Sequence, residues 1–133
     1  MKVYRCLKCD NIVINYFNDK NLKCCDEDMV ELIPNSAEGE SDIHNPLIRR
    51  IGNLVTVTVG EKLHPMVDVH HLDFVILETD KSIYYRKLEL EKVPVVDFLV
   101  LNEEKVIRAY VYCNNHELWS SEFTTEEKEN KNE

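Results

Sequence analysis

The chain has 133 residues, 44% hydrophobic and 31% charged, which is enough apolar material for one globular domain, or a compact domain plus a small one. Net charge is −9, from 16 Lys and Arg against 25 Asp and Glu. That balance excludes a basic phosphate-tracking surface, and with it nucleic acid and anionic membranes as partners. No apolar run approaches the roughly 20 residues of a membrane helix, and Met1-Lys2-Val3-Tyr4-Arg5-Cys6 lacks a secretory h-region, so a cytoplasmic protein is expected.

Residues 1–34 read as a separate small unit. Cys6-Leu7-Lys8-Cys9 comes first, Asn11 to Tyr16 is a short strand, Asn18-Asp19-Lys20-Asn21 is a polar turn, and Cys24-Cys25 follows. So short a stretch cannot fold without a staple, because it buries too little apolar surface. Residues 35–43 read as a linker of small polar residues with Gly39. Strands are then predicted at 54–59, 72–77, 82–88, 95–100, 106–112 and 118–123, with polar turns between them. That spacing predicts an all-β antiparallel sandwich or barrel over 44–125, with no amphipathic helix. Residues 126–133, with Glu126, Glu127, Glu129 and Glu133, read as a flexible acidic tail.

Five cysteines are an odd count, and without an export signal metal binding outranks disulfides. Cys6, Cys9, Cys24 and Cys25 supply four thiolates within twenty positions. Two intervening residues let one tight turn aim Cys6 and Cys9 at one ion. Adjacent residues face opposite ways on a strand, so the backbone must bend at Cys24-Cys25. The alternatives are ordinary or vicinal disulfides, or a structural zinc, since zinc and iron both accept four sulfurs.

The fifth cysteine, Cys113, stands three residues before His116. His64, His70 and His71 cluster at the ends of predicted strands, where a sandwich gathers its loops, and His44 lies at the linker edge. Each histidine alone reads as a surface or core residue. Together with Cys113 they read equally well as a mixed His/Cys metal site, and the soft thiolate favours a redox metal.

These residues resemble the desulfoferrodoxin family, the two-iron superoxide reductases, over about residues 3–123. Val3 to Cys9 with Cys24-Cys25 looks like the family's desulforedoxin-type domain. His64-Pro65-Met66 with His70 looks like its loop, and Ala109-Tyr110-Val111-Tyr112-Cys113-Asn114-Asn115-His116-Glu117-Leu118-Trp119 like its C-terminal signature. The resemblance implies a small desulforedoxin-like domain followed by an immunoglobulin-like sandwich, in a homodimer. It implies two Fe per chain. A four-cysteine centre would lie on Cys6, Cys9, Cys24 and Cys25 and be electron-transferring or structural. The second centre would have His44, His64, His70 and His116 in one plane, Cys113 axial and the sixth position open. His71 matches no ligand position. Superoxide would be reduced to hydrogen peroxide there, by an electron from ferrous iron, and a rubredoxin-like donor would restore it. Four neutral imidazoles and one thiolate around ferrous iron carry a net charge of about +1, which attracts an anion.

Two departures stand out. The family's Glu-Lys pair before its first histidine is Asp42-Ile43 here. Asp42 reads either as a linker carboxylate or as that glutamate's shorter counterpart, a catalytic candidate. A cation about 6 Å from the reacting anion is worth roughly 0.7 kcal/mol in water and about 3 kcal/mol at an effective dielectric near 20, and Lys62, Arg49 or Arg50 would have to supply it. Asp10 and Asp26 replace glycines that often follow the cysteine pairs. Asp tolerates left-handed backbone, so the turns survive, with a lowered reduction potential expected. Two competing readings are an iron electron carrier or redox sensor with weak superoxide turnover, and a zinc-stapled binding module.

Overall fold

The computed structural model describes residues 1–17 and 22–124, so the polar turn expected at 18–21 and the acidic tail expected at 126–133 lie outside the described residues. The chain divides into two compact units, Met1–Ile33 and Pro34–Glu133. Among the described residues no helix is long and apolar enough to cross a membrane.

In the first unit, β1 (Lys2–Arg5), β2 (Ile12–Asn15) and β5 (Val30–Leu32) form an antiparallel sheet in the order β2-β1-β5. A minimal hairpin, β3 (Lys23–Cys24) with β4 (Glu27–Asp28), stands apart from it. Val3 pairs across to Leu32, and these two with Cys6 are the unit's buried hydrophobic side chains among the described residues. Three such side chains make a poor core, so the unit depends on what its cysteines hold.

The second unit opens with α1 (Ser41–His44), a single turn. Seven strands follow: β6 (Pro46–Ile51), β7 (Leu54–Val59), β8 (Leu72–Thr79), β9 (Ile83–Lys87), β10 (Val95–Leu99), β11 (Val106–Cys113) and β12 (Glu117–Glu122). They form two antiparallel sheets, β10-β7-β6 and β12-β11-β8-β9. Between them lies one core, with Val55, Val57 and Val59 from one sheet against Val75, Leu77 and Val111 from the other. The all-β, immunoglobulin-like sandwich is the expected fold.

In the first unit only β2 is expected as a strand, the others being too short to show a period, and in the second unit two elements differ from expectation. β6 is not among the predicted strands, because the apolar side chains of Leu47 and Ile51 point outward and break the alternation that marks a half-buried strand. α1 occupies the end of the expected linker and is too short to leave a helical period.

β8 carries the irregularity that matters most for the site. Phe74 faces Tyr112 on β11, but Leu72 faces Cys113, so Asp73 is an extra residue in the ladder. Leu72 and Val75 therefore both face the core, as does Cys113. Such a bulge re-aims a strand end, here beside that cysteine.

Candidate metal centres

In the first unit, the Cys6 N–H donates to the Asn11 carbonyl and the Asp10 N–H donates back to the Cys6 carbonyl, both at 2.9 Å. These bonds close the Cys6–Cys9 turn between β1 and β2. Asp10 takes φ 62°, the left-handed conformation expected of it, and its carboxylate accepts from Arg5 at 2.7 Å. Across the second hairpin Cys24 pairs with Glu27, which leaves Cys25-Asp26 as the loop, at φ 54° and 62°. Two left-handed residues in a two-residue hairpin loop make a type I′ turn. This is the bend that adjacent cysteines require.

The four sulfurs lie within 4.8 Å of one another, with Cys9–Cys24 at 3.6 Å and Cys24–Cys25 at 3.8 Å. Metal–sulfur bonds of about 2.3 Å give a tetrahedron with edges of about 3.8 Å. The spacing thus fits a single tetrathiolate ion, and no cysteine is disulfide-bonded. The thiols resist sharing this space without a cation. The Cys9 backbone N–H draws Cys6 down to about 7, whereas contact with the Cys9 side chain, then Cys6, pushes Cys24 up to about 12.

The second unit gathers its histidines at one end. Successive ring centroids stand 4.8 Å apart for His44–His64, 4.6 Å for His64–His70, 5.1 Å for His70–His116 and 4.7 Å for His116–His44. The His44–His70 diagonal is 6.3 Å, longer than any side. A regular tetrahedral cluster would have equal separations, so the four rings instead run in a four-membered circuit, the imidazole square. Cys113 Sγ lies 3.4 Å from His64 Nε2 and 3.7 Å from His116 Nδ1. Donor atoms of His44, His70, Cys113 and His116 lie within 4.8 Å of one another, and His64 joins them through its sulfur contact.

Backbone carbonyls set the tautomers. His44 Nδ1–H donates to Glu40 at 2.7 Å and His64 Nδ1–H to Pro65 at 2.6 Å, leaving an Nε2 lone pair on each. The Nε2 atoms of His44 and His70 are buried with no hydrogen-bond partner among the described residues. Orphaned acceptors are costly in a folded interior, and two in one cluster mark the place of a cation. His116 instead turns Nδ1 toward the sulfur. Burial lowers His44 and His70, and pushes His64 down to about 4, which favours the neutral, coordinating form of these three rings. Burial also raises Cys113, which becomes a thiolate only beside a positive ion.

Several supports carried no individual signal in the sequence. Trp119 stacks on His44 at 4.7 Å and 13°, and its Nε1–H donates to the His116 carbonyl at 2.9 Å. A Cβ on Gly39 would meet Trp119 at 3.1 Å and His44 at 3.2 Å. A Cβ on Gly60, at φ 89°, would lie 2.7 Å from the Ile43 backbone, closer than a side chain can come. Asn114 exchanges backbone and side-chain bonds with His71 at 3.0 and 2.8 Å, tying the two histidine loops together. His71 itself contacts Asp73 at 3.1 Å, outside the square.

Asp42 lies on α1, outside both donor groups, and pairs with Lys62 at 3.3 Å. Arg50 is committed to the carbonyls of Leu101, Asn102 and Glu104. Of the three cations considered, Lys62 is the one whose placement beside Asp42 is seen.

Both donor sets fit iron: four thiolates for one ion, four imidazoles and a thiolate for the other. The Desulfoferrodoxin family profile matches residues 36–122. A desulfoferrodoxin homolog of Archaeoglobus fulgidus is 33% identical over 91% of this chain and 96% of its own length. The desulfoferrodoxin of Nitratidesulfovibrio vulgaris is 31% identical over 91% of this chain and 95% of its own. A superoxide reductase structure from Treponema pallidum superposes with a TM-score of 0.77 at 26% identity, covering 91% of this chain and 99% of that one. A square of imidazoles over a buried thiolate, a tetrathiolate knuckle and relatives matched along nearly their whole length agree, and the chain belongs to the desulfoferrodoxin family.

Proposed function

We propose that this chain is a superoxide reductase, converting superoxide to hydrogen peroxide with one electron and two protons. The imidazole square over Cys113 carries the reading. Iron held there by His44, His64, His70, His116 and Cys113 supplies the electron, and iron on Cys6, Cys9, Cys24 and Cys25 forms the second centre. The chain's own part is to hold donors ready. Glu40 and Pro65 carbonyls fix two ring tautomers, Trp119 stacks on the His44 ring and holds the His116 backbone, and burial keeps water from the sulfur. Neutral rings and a single thiolate leave the loaded site cationic, which draws in a small anion.

Asp42 and Lys62 belong to the rim of this site. Lys62 offers the cation that Ile43 does not, and Asp42 orients it through their ion pair. Residues 1–34 act as the tetrathiolate iron domain, 35–43 as linker and 44–125 as the superoxide-reducing domain. A rubredoxin-like protein returns the electron, and the exposed Cys9 and Cys25 at the first centre support a route for it. A cytoplasmic setting is part of this reading. The working form is a homodimer.

The test is to reduce the iron-loaded protein, pulse it with superoxide and follow iron oxidation and peroxide yield. A second-order reaction giving one peroxide per electron is expected. Iron oxidation no faster than in buffer would overturn the reading in favour of an electron carrier, and zinc in both sites would end both.

A further inference from the structure

We propose that His71, which lies outside the imidazole square, is a positioning residue of the second centre: it clasps the hairpin that carries His70 to the β8 bulge and to the turn that carries Cys113. His70 is the ring that most needs such support. Glu40 and Pro65 carbonyls orient His44 and His64, and Trp119 holds the His116 backbone. Among the described residues no hydrogen bond orients the His70 ring, whose Nε2 is buried without a partner. Its backbone must therefore set its place.

That backbone is a minimal hairpin at the surface. Val67 and His70 exchange N–H···O bonds at 3.1 Å in both directions around Asp68-Val69, and Val69 is 76% exposed. One isolated bridge around an exposed loop is a weak support.

His71 fastens the hairpin on two sides. Adjacent residues of an extended chain face opposite ways, so a His70 ring turned into the square sends the His71 ring away from it. There Nδ1 lies 3.1 Å from both the Val67 and the Asp68 carbonyl oxygens, and Nε2 lies 3.1 Å from Asp73 Oδ1. Each ring nitrogen thus faces acceptor oxygens, one set on the hairpin and the other on the extra residue of β8. The backbone makes the second tie. The His71 N–H donates to Asn114 Oδ1 at 2.8 Å, and the Asn114 N–H donates to the His71 carbonyl at 3.0 Å. The side-chain amides of Asn114 and Asn115 both donate to the Val69 carbonyl, at 3.2 and 3.1 Å. Asn114 directly follows Cys113, so these bonds register the His70 hairpin against the sulfur.

What the clasp fixes is the separation of two metal donors, those of His70 and Cys113, which lie within 4.8 Å of each other. Groups that hold a metal ligand from behind typically change metal affinity about 10–100-fold when removed. The proposal rests on the reading of the square as an iron centre.

The test uses the full iron-loaded chain. His71→Phe keeps a flat ring and removes both nitrogens. Iron should leave the second centre for a chelator at least about tenfold faster than in wild type, with the visible absorption of that centre shifted. Release from the first centre and the denaturant midpoint of the metal-free sandwich should keep their wild-type values. His71→Asn returns an amide donor where Nδ1 stands, and His71→Gln where Nε2 stands. At least one of them should slow release again, which identifies the arm that holds the hairpin. Asn114→Ala, which removes the side-chain half of the second tie, should speed release as well. Release from His71→Phe as slow as from wild type would overturn the proposal. So would fast release that neither amide variant slows, or a metal-free midpoint lowered in step with release, since His71 would then only stabilise the fold. Any of these results leaves the iron centre standing, whereas wild type that takes up iron at the first centre alone would overturn the iron centre and the clasp together.

Discussion

In the first unit the cysteines lie on two hairpin knuckles, and little else is buried with them than Val3 and Leu32. In the second unit Cys113 ends a strand whose neighbours Ala109 and Val111 are wholly buried, and the His44 and His64 rings are oriented by backbone carbonyls unrelated to a metal. The tetrathiolate site is therefore assembled by its ion, whereas the imidazole square is assembled by the sandwich. A small unit gains its folding free energy from coordination. A packed unit can hold unsatisfied donors apart from solvent, because its core offsets their cost.

Removing metal is the most forceful way to break this contrast. Under reductant and chelator, amide exchange in residues 1–17 and 22–33 should reach unprotected rates, while β7, β8 and β11 stay protected. Cys24→Ser should do the same to the first unit alone. Equal loss of protection in both units would erase the distinction.

The next effect is confined to the second unit. Cys113→Ser removes the soft donor while leaving a residue of similar size. Reaction with superoxide should fall at least about 100-fold, roughly 2.7 kcal/mol of transition-state stabilisation, with the absorption of the tetrathiolate centre unchanged. An undiminished rate would mean the sulfur is structural.

A pH titration of metal-free protein reads the stored cost directly. Burial holds folded His64 near 4, against about 6.5 when unfolded. Between these values the unfolded chain binds more protons, so sandwich stability should decline as pH falls from 6.5 toward 4. Iron should suppress that decline, because coordinated rings cannot take up protons. Denaturant midpoints across that range, with and without iron, provide the check.

The smallest effect belongs to the rim. The Lys62 side chain is 77% exposed, so its charge acts mostly through water. Lys62→Ala should slow superoxide reaction about threefold, less at high salt, and Ile43→Lys should raise the rate. A rate unchanged from wild type in both variants would remove steering from the account.

Much of the first centre was legible because it is local. A Cys-x-x-Cys turn and an adjacent pair each demand one backbone bend, and Asp10 and Asp26 adopt the left-handed φ that their positions require. The sandwich was legible strand by strand wherever inward apolar residues alternate with polar ones, as in β7 and β11. β6 escaped because its outward residues Leu47 and Ile51 are apolar as well.

Residue types and spacings along the chain determined which donors exist and how many ions they suit, since short turns obey local sterics. Only the tertiary structure decided that His44, His64, His70 and His116 form a square with Cys113 against it, and that Lys62 rather than Arg50 reaches Asp42. Those residues are far apart in sequence, and their meeting depends on sheet register, the Asp73 bulge and the close approach at Gly60. No local rule encodes distances set by the packing of two sheets.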